Sequence, residues 1–247
     1  MVVPVGESNR GSDVSVSNRL SIQLRLDGLS YALVQGGQVQ VNHLTFRMEE
    51  LPKALAADDL SADFSAVWVC VPTRRTVLIP SEWDRPEKRA DYLRVLGFPV
   101  DQNARVLTFA AGENRTLLFA VDDAVAEPLE EKYGEKLAFY HPLGVSLTTG
   151  DDAAGSTLRI DAAGETGSFT LTSARKLLLA EVYPLTSENE LLLSVNRTIA
   201  AHPIGRLRIV CSGDRAESSA ALLAQFYREV TVDPDGENRN LLFPFVR

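Results

Sequence analysis

The sequence predicts an α/β protein made of two similar halves, each with the order strand, strand, strand, helix, strand, helix. The first observation is a strand-like run, Leu20 to Leu26, which is followed by two more runs separated by turns. The second is that the same order begins again at Ser156 to Ile160. The third is that each half contains a later strand-like run, Ala66 to Val71 and its counterpart Gly205 to Cys211. The first of these runs is continuously apolar, which is typical of a strand buried on both faces. Internal repetition of this kind indicates the architecture of the whole chain.

Length and charge limit the classes of function. A chain of 247 residues can form one large or two ordinary domains, and 45% apolar residues allow a sizeable core. The net charge of −8, without a basic tract, argues against nucleic acid as a partner. No apolar run approaches the ~20 residues that span a bilayer, so membrane insertion is not expected. Two lone cysteines in apolar runs, Cys70 and Cys211, indicate core residues in a reducing, cytoplasmic compartment.

The N-terminal half is predicted to span residues 19–150, after a flexible polar leader at 1–18. Asp84 is predicted to cap a helix from Arg85 to Leu96, because Pro86 lies in its first turn and Gly97 follows its end. The remaining elements expected here after the first three strands are a helix from Met48 to Ala57, strands Thr76 to Ile79, Arg105 to Ala110 and Thr116 to Val121, a helix around Pro128, and a closing strand from Lys136 to Tyr140.

The C-terminal half is predicted to span residues 155–247, after a linker at Asp151 to Gly155. Ser187 and Glu190 form a capping-box pattern that opens a helix. The apolar tail, Leu241 to Val246, is expected either to dock onto the body of the protein or to form a contact for a partner.

This order of elements, occurring twice, is that of the duplicated ribonuclease H-like fold shared by actin, sugar kinases and heat-shock chaperones. The sequence resembles a bacterial family catalogued as domain of unknown function 3822. The residues that carry the resemblance are Leu20 to Tyr31, Val69 to Pro72, Phe139 to Leu143, Cys211 to Asp214 and Phe243 to Phe245. The resemblance implies two tandem actin-like subdomains, each with a mixed five-stranded sheet, which face each other across a cleft. It implies no known activity.

In active relatives of this fold, the turn between the first two strands of each half wraps a phosphate with backbone N–H groups, and an aspartate at the strand end holds hydrated magnesium. Asp27 and Asp161 are expected at matching places. Gly28, however, follows Asp27 directly, which is typical of an ordinary hairpin turn.

The second turn contains Gly164 and Thr166, close to the relatives' Asp–Gly–Thr pattern, but Glu165 between them would repel a triphosphate. The adenosine-binding turn of active relatives carries paired glycines. Here Gly213 precedes Asp214, which the sequence explains as a helix N-cap with Glu217 three residues on.

Other chemistries find less support. Neither buried apolar strand carries the carboxylate that a two-metal nuclease needs. The three histidines are scattered, without a second ligand at metal-binding spacing. Arg74 and Arg75, just beyond a buried strand, are interpreted either as surface charge or as an anion site facing the cleft.

The sequence therefore favours a non-catalytic binding or scaffold protein with a degenerate actin-like cleft, no cofactor, and another protein as its partner. The alternative is a nucleotide-binding protein or ATPase that binds ATP with magnesium through Asp27, Gly28, Asp161, Gly164, Thr166, Gly213 and Asp214. A third possibility is a small-ligand or peptide binder that uses the same cleft without ATP.

Overall fold

A computed structural model describes residues 18–36, 38–148, 155–202, 204–234 and 236–245. The predicted leader, except residue 18, and the predicted linker, except residue 155, therefore lie outside the described residues. No helix among the described ranges has the length and apolar character needed to cross a membrane.

The N-terminal half contains a five-stranded mixed sheet. Its elements in chain order are β1 (Arg19–Arg25), β2 (Gly28–Gln35), β3 (Gln38–Thr45), α1 (Leu51–Leu55), β4 (Ala66–Cys70), β5 (Thr76–Pro80), α2 (Arg89–Val95), β6 (Ala104–Ala110), β7 (Arg115–Asp122), α3 (Asp123–Tyr133), β8 (Leu137–Tyr140) and α4 (Pro142–Thr148). The sheet order is β3-β2-β1-β4-β8. The first three strands pair antiparallel, and β4 pairs parallel to both β1 and β8.

The C-terminal half contains a second sheet of the same order and strand directions. Its elements are β9 (Ser156–Ala163), β10 (Thr166–Ser173), β11 (Lys176–Pro184), α5 (Glu188–Ala201), β12 (Leu207–Ser212), α6 (Ala216–Leu223), β13 (Val230–Val232) and α7 (Arg239–Leu242). The order β11-β10-β9-β12-β13 corresponds strand by strand to that of the first sheet. Both predicted five-stranded mixed sheets are thus confirmed.

A small antiparallel sheet, β5-β7-β6, interrupts the N-terminal half between β4 and α3. The sequence predicts the three strands and places β6 and β7 on either side of a turn, in agreement with their antiparallel pairing, but it does not predict that β5 joins them in a separate sheet. The strand pairing joins residues far apart in the chain, such as Thr76 with Phe119, and periodicity carries no information about it.

In each large sheet, alternate residues along the strands lie in an apolar core. In β1, Leu20, Ile22 and Leu24 lie in a core completed by α1 and α3. In β9, Leu158 and Ile160 lie in a second core, which α5 and α6 cover. Each half therefore has its own apolar core.

Two helices lie against the inner faces, and each belongs in sequence to the opposite half. Helix α4 packs on β9, β10 and β11, whereas α7 packs on β1 and β2. The predicted docking of the tail is confirmed, because the ring of Phe243 lies 5.9 Å from that of Tyr140 and Phe245 lies 5.9 Å from Trp68. Helix α4 and the C-terminal tail thereby join the two halves.

Two predicted helix starts are wrong. Helix α2 begins at Arg89 rather than Arg85, and Asp84 forms a two-point ion pair with Arg89 instead of capping the helix. Helix α6 has Arg215 at its N-cap, so Asp214 does not cap it. By contrast, the Ser187 cap is confirmed, since its hydroxyl accepts from the N–H of Glu190.

Candidate functional site: the cavity between the halves

A cavity of about 370 Å³ lies between the two halves, within the size range of small-molecule sites. The N-terminal half contributes the end of β1, the loop after β4, the end of β7 and Val125 of α3. The C-terminal half contributes the β9–β10 turn, Pro184, Thr186 and Asp214. The cleft implied by the family resemblance is therefore present.

The two turns that bind phosphate in active relatives are tight hairpins here. Arg25 pairs with Gly28, so only two residues, Leu26 and Asp27, form the first turn. Ala163 pairs with Thr166, so Gly164 and Glu165 form the second. Gly164 has a φ of 57°, which suits the first central position of a type II′ hairpin turn. Neither turn provides a long loop that surrounds a ligand.

The N–H of Gly164, a part-buried donor in the second turn, is already hydrogen-bonded. Both carboxylate oxygens of Asp214 lie 3.2 Å from this nitrogen and accept from it. Asp214 also lies 3.9 Å from the Arg25 guanidinium of the other half. The aspartate that the sequence interprets as a helix cap thus holds the β9–β10 turn, and it contributes a negative charge where a phosphate would need a donor.

Asp161 lies inside the protein rather than on the cavity wall. Its side chain is 1% exposed, and its oxygens accept from Asn240 Nδ2 at 2.8 Å and Ser212 Oγ at 2.9 Å. Burial raises the pKa of this carboxyl, while the hydrogen bonds from Asn240 and Ser212 act in the opposite direction. One oxygen therefore binds the C-terminal tail through Asn240, and the other binds Ser212 at the end of the neighbouring strand β12.

Asp27 and Asp161 do not occupy matching positions, contrary to the sequence expectation. Asp27 is a turn residue with a 63% exposed side chain, whereas Asp161 lies two residues before the end of β9. Measured from the hairpin closures, the counterpart of Asp161 is Gln23, two residues before the end of β1. Aligning β1 with β9 by placing Asp27 on Asp161 would therefore shift the two hairpins out of register.

Two of the predicted glycines are required by close packing within the protein. A Cβ atom on Gly28 would lie 1.9 Å from the Leu44 carbonyl oxygen, and one on Gly213 would lie 2.2 Å from the Ala162 carbonyl oxygen. Both have positive φ angles, of 143° and 90°. Because glycine has no Cβ atom and adopts positive φ angles easily, these two positions allow neighbouring backbone to pack closely.

Of the seven residues predicted for the nucleotide site, Gly164, Thr166 and Asp214 line the cavity; Asp27, Gly28, Asp161 and Gly213 are not among its lining residues. The Arg74–Arg75 pair does line the cavity, in agreement with the cleft-facing interpretation. Arg75 is held by Asp122, with 2.7 Å between Nη2 and Oδ1. The charged lining residues are three arginines and three acids: Arg25, Arg74, Arg75, Asp122, Glu165 and Asp214.

A buried polar chain beneath the cavity was not predicted from the sequence. The Tyr140 hydroxyl donates to the Asn240 carbonyl at 2.7 Å and lies 3.1 Å from Ser21 Oγ. Asn240 in turn reaches Asp161, so the chain connects β1 and β8 of one sheet with β9 of the other. The sequence signals were two motifs of the family resemblance, Leu20–Tyr31 and Phe139–Leu143, which contain Ser21 and Tyr140.

The remaining chemically reactive side chains are structural. Burial raises the pKa of the Cys70 thiol well above its ordinary value and that of Cys211 to about 12, so neither is a nucleophile. Burial also lowers the pKa of His141 to about 4, and this ring bonds to the Thr73 backbone. Among the described residues, no three His, Cys, Asp or Glu side chains are grouped so as to hold a metal ion.

Comparison with known proteins agrees with this architecture. The family described as "Protein of unknown function (DUF3822)" matches residues 11–198, and the chain belongs to it. The match ends before Cys211 to Asp214 and Phe243 to Phe245, two of the motifs that carried the resemblance. No curated protein matches the sequence.

Solved structures show the fold. A Bacteroides thetaiotaomicron VPI-5482 protein with an actin-like ATPase fold and unknown function superimposes with a TM-score of 0.79 at 17% identity, over 94% of this chain and 97% of that one. A chain of the PilM–PilN type IV pilus biogenesis complex gives a TM-score of 0.53 at 12% identity, over 91% and 96%. The protein has an actin-like ATPase fold.

Proposed function

We propose that this protein is a non-catalytic binding protein whose actin-like cleft does not bind a nucleoside triphosphate, and that it acts by binding another protein. The observation that carries the proposal is the pairing of Asp214 with the N–H of Gly164. In this fold the turn amide is the natural phosphate donor, and here an internal carboxylate replaces the ligand.

The surrounding charges support the same conclusion. The formal charges of the six ionic side chains on the cavity wall cancel, and two of the three arginines lie within ion-pair distance of an acid. A triphosphate carries several negative charges and needs a net positive site or a bound cation. Asp161, the expected magnesium ligand, is directed to Asn240 and Ser212 instead.

The joining of the two halves also favours a binding role. The tail covers the inner face of the first sheet, and Arg239 pairs with Asp233 at 2.8 Å in the second half. Opening the cleft would break the buried hydrogen bond from the Tyr140 hydroxyl to Asn240, which joins the two halves. A fixed arrangement of halves suits a binding surface better than a cycle of opening and closing.

An exposed apolar patch on the inserted β5-β7-β6 unit supports a protein partner. Trp83, Val95 and Leu96 are 54%, 85% and 53% exposed, and Tyr92 on the same helix bonds through its hydroxyl to the Trp83 carbonyl. Clustered apolar side chains on a surface are typical of interaction sites. The PilM–PilN complex shows that this fold also occurs in an assembly with another protein.

Thermal denaturation with nucleotides tests the proposal. A site saturated about 100-fold above its Kd would stabilise the fold by about 2.7 kcal/mol, which for a chain of this length is a rise in Tm of roughly 5–10 °C. We expect no rise with millimolar ATP, ADP or pyrophosphate, with or without magnesium. A magnesium-dependent rise that is lost in Thr166→Val would support the nucleotide-binding alternative.

Co-purification of partner proteins from the cells that make this protein tests the role of the exposed patch. Val95→Glu should lose a partner that the wild type and the matched variant Leu193→Glu both retain, because Leu193 is 48% exposed on α5 of the other half. A partner retained equally by all three proteins would contradict the use of this surface.

A further inference from the structure

We propose that the cavity between the halves binds a small zwitterion with an apolar body, such as an apolar amino acid or dipeptide. The proposal rests on the proposed function, because a triphosphate in the same cavity would exclude it. It names a ligand for the cavity, whereas the exposed patch concerns a macromolecular partner.

The wall of the cavity is mostly apolar. Leu24, Val71, Val121 and Val125 come from four different elements of the N-terminal half, and Pro184 closes the opposite side. Small-molecule sites combine such walls with a few polar groups that orient the ligand. A volume of about 370 Å³ lies at the lower end of their range, which favours a ligand the size of a dipeptide over a nucleotide.

Two charged side chains on the wall have no ion-pair partner within 4.0 Å among the described residues. One belongs to Arg74 and the other to Glu165 of the opposite half, and both residues are exposed at the protein surface. Arg74 lies near enough to Glu190 to help lower its pKa, but Glu190 Oε2 is already bonded to the Thr186 backbone N–H and hydroxyl. The cavity thus presents one available cation and one available anion.

A zwitterion satisfies both groups at once. Its carboxylate would accept from Arg74 and its ammonium would donate to Glu165, while its apolar side chains contact the valine-lined wall. The other four ionic side chains of the wall already lie near opposite charges or, for Asp214, hold the Gly164 N–H. Since the wall has no net formal charge, a ligand of no net charge leaves the site balanced.

Calorimetric titration of the full chain with leucyl-leucine and with leucine, to about 10 mM, tests the inference and separates dipeptide from amino acid. We expect saturable binding of at least one. N-acetyl-leucyl-leucine lacks the ammonium and leucyl-leucine amide lacks the carboxylate, and each should bind at least about tenfold more weakly than the dipeptide.

Variants of the two charged residues test which of them binds each charged group of the ligand. Arg74→Gln should remove the preference for the free carboxylate, and Glu165→Gln the preference for the free ammonium. Arg85→Gln and Glu87→Gln, at exposed positions on the inserted unit, should leave binding unchanged. Val125→Phe, which fills part of the cavity, should weaken every ligand, with thermal denaturation used to confirm that it folds.

Absence of saturable binding, equal binding of the blocked analogues, or equal binding by Arg74→Gln and the wild type would each overturn the inference. None of these results concerns nucleotides, so the proposed function stands or falls separately, by the thermal denaturation with ATP.

Discussion

Asn substitutions at the two aspartates, Asp161 and Asp27, should have unequal effects on stability. A pair of equivalent magnesium ligands would tolerate Asp→Asn equally in the absence of ligand. In this structure Asp161 is 1% exposed and accepts from two buried donors, whereas the Asp27 side chain is 63% exposed in a turn. The comparison therefore distinguishes a structural role from a ligand-binding role.

The expected magnitude follows from the contacts. Asp161→Asn places an NH₂ group against one of the donors from Ser212 and Asn240, and a buried group left without a partner costs about 1–3 kcal/mol. Removing the charge recovers part of the desolvation cost that raises the Asp161 pKa, so we expect a net loss of about 2 kcal/mol. Asp27→Asn removes only an exposed ion pair with Arg25, at less than about 1 kcal/mol.

Thermal and urea denaturation of the three proteins measures the difference. For a chain of this length, Asp161→Asn should lower Tm by about 4–8 °C, and Asp27→Asn by no more than about 3 °C. Equal effects of the two substitutions would refute the interpretation of Asp161 as a structural residue.

Three further predictions concern the fold around the cavity. Burial lowers the pKa of His141 from 6.5 to about 4, so the stability that it contributes above pH 6.5 is lost as the pH falls towards 4, by about 3 kcal/mol. Urea denaturation between pH 7 and 4 should show this loss in the wild type and a smaller loss in His141→Gln. Tyr140→Phe removes a buried hydroxyl that bonds to both halves, and should cost about 1–2 kcal/mol by urea denaturation; unchanged stability would contradict the polar chain. Gly28→Ala should lower Tm much more than Gly36→Ala, because only the first places a Cβ against backbone, 1.9 Å from the Leu44 oxygen.

The repeated sheets could be predicted because they depend on local patterns. Alternation in Leu20 to Leu26 and continuous apolar residues in Ala66 to Cys70 indicate strands that contribute to a core, and both patterns are visible in the chain. The alternation does not indicate that Ser21 and Gln23, on the other face of β1, are buried as well. The Ser187 cap is equally local. The pairing of β5 with β7 in the small inserted sheet was not predicted, because it joins residues that are far apart in the chain.

The candidate site shows the limit of local patterns more clearly. Asp214 followed by Glu217 fits a helix cap, but its actual partner is the N–H of Gly164, 50 residues earlier. An aspartate near a strand end, such as Asp161, has the chemistry of a metal ligand. Only the docked tail shows that Asp161 binds the Asn240 amide where a metal ion would otherwise bind. Tertiary contacts, rather than residue type, determine these two roles.

Calorimetric titration of the wild-type chain with magnesium–ATP measures whether the cleft binds a nucleoside triphosphate. The internal hydrogen bond from Gly164 to Asp214 predicts no saturable heat at millimolar ATP. A saturable, magnesium-dependent heat at a stoichiometry near one would contradict the account.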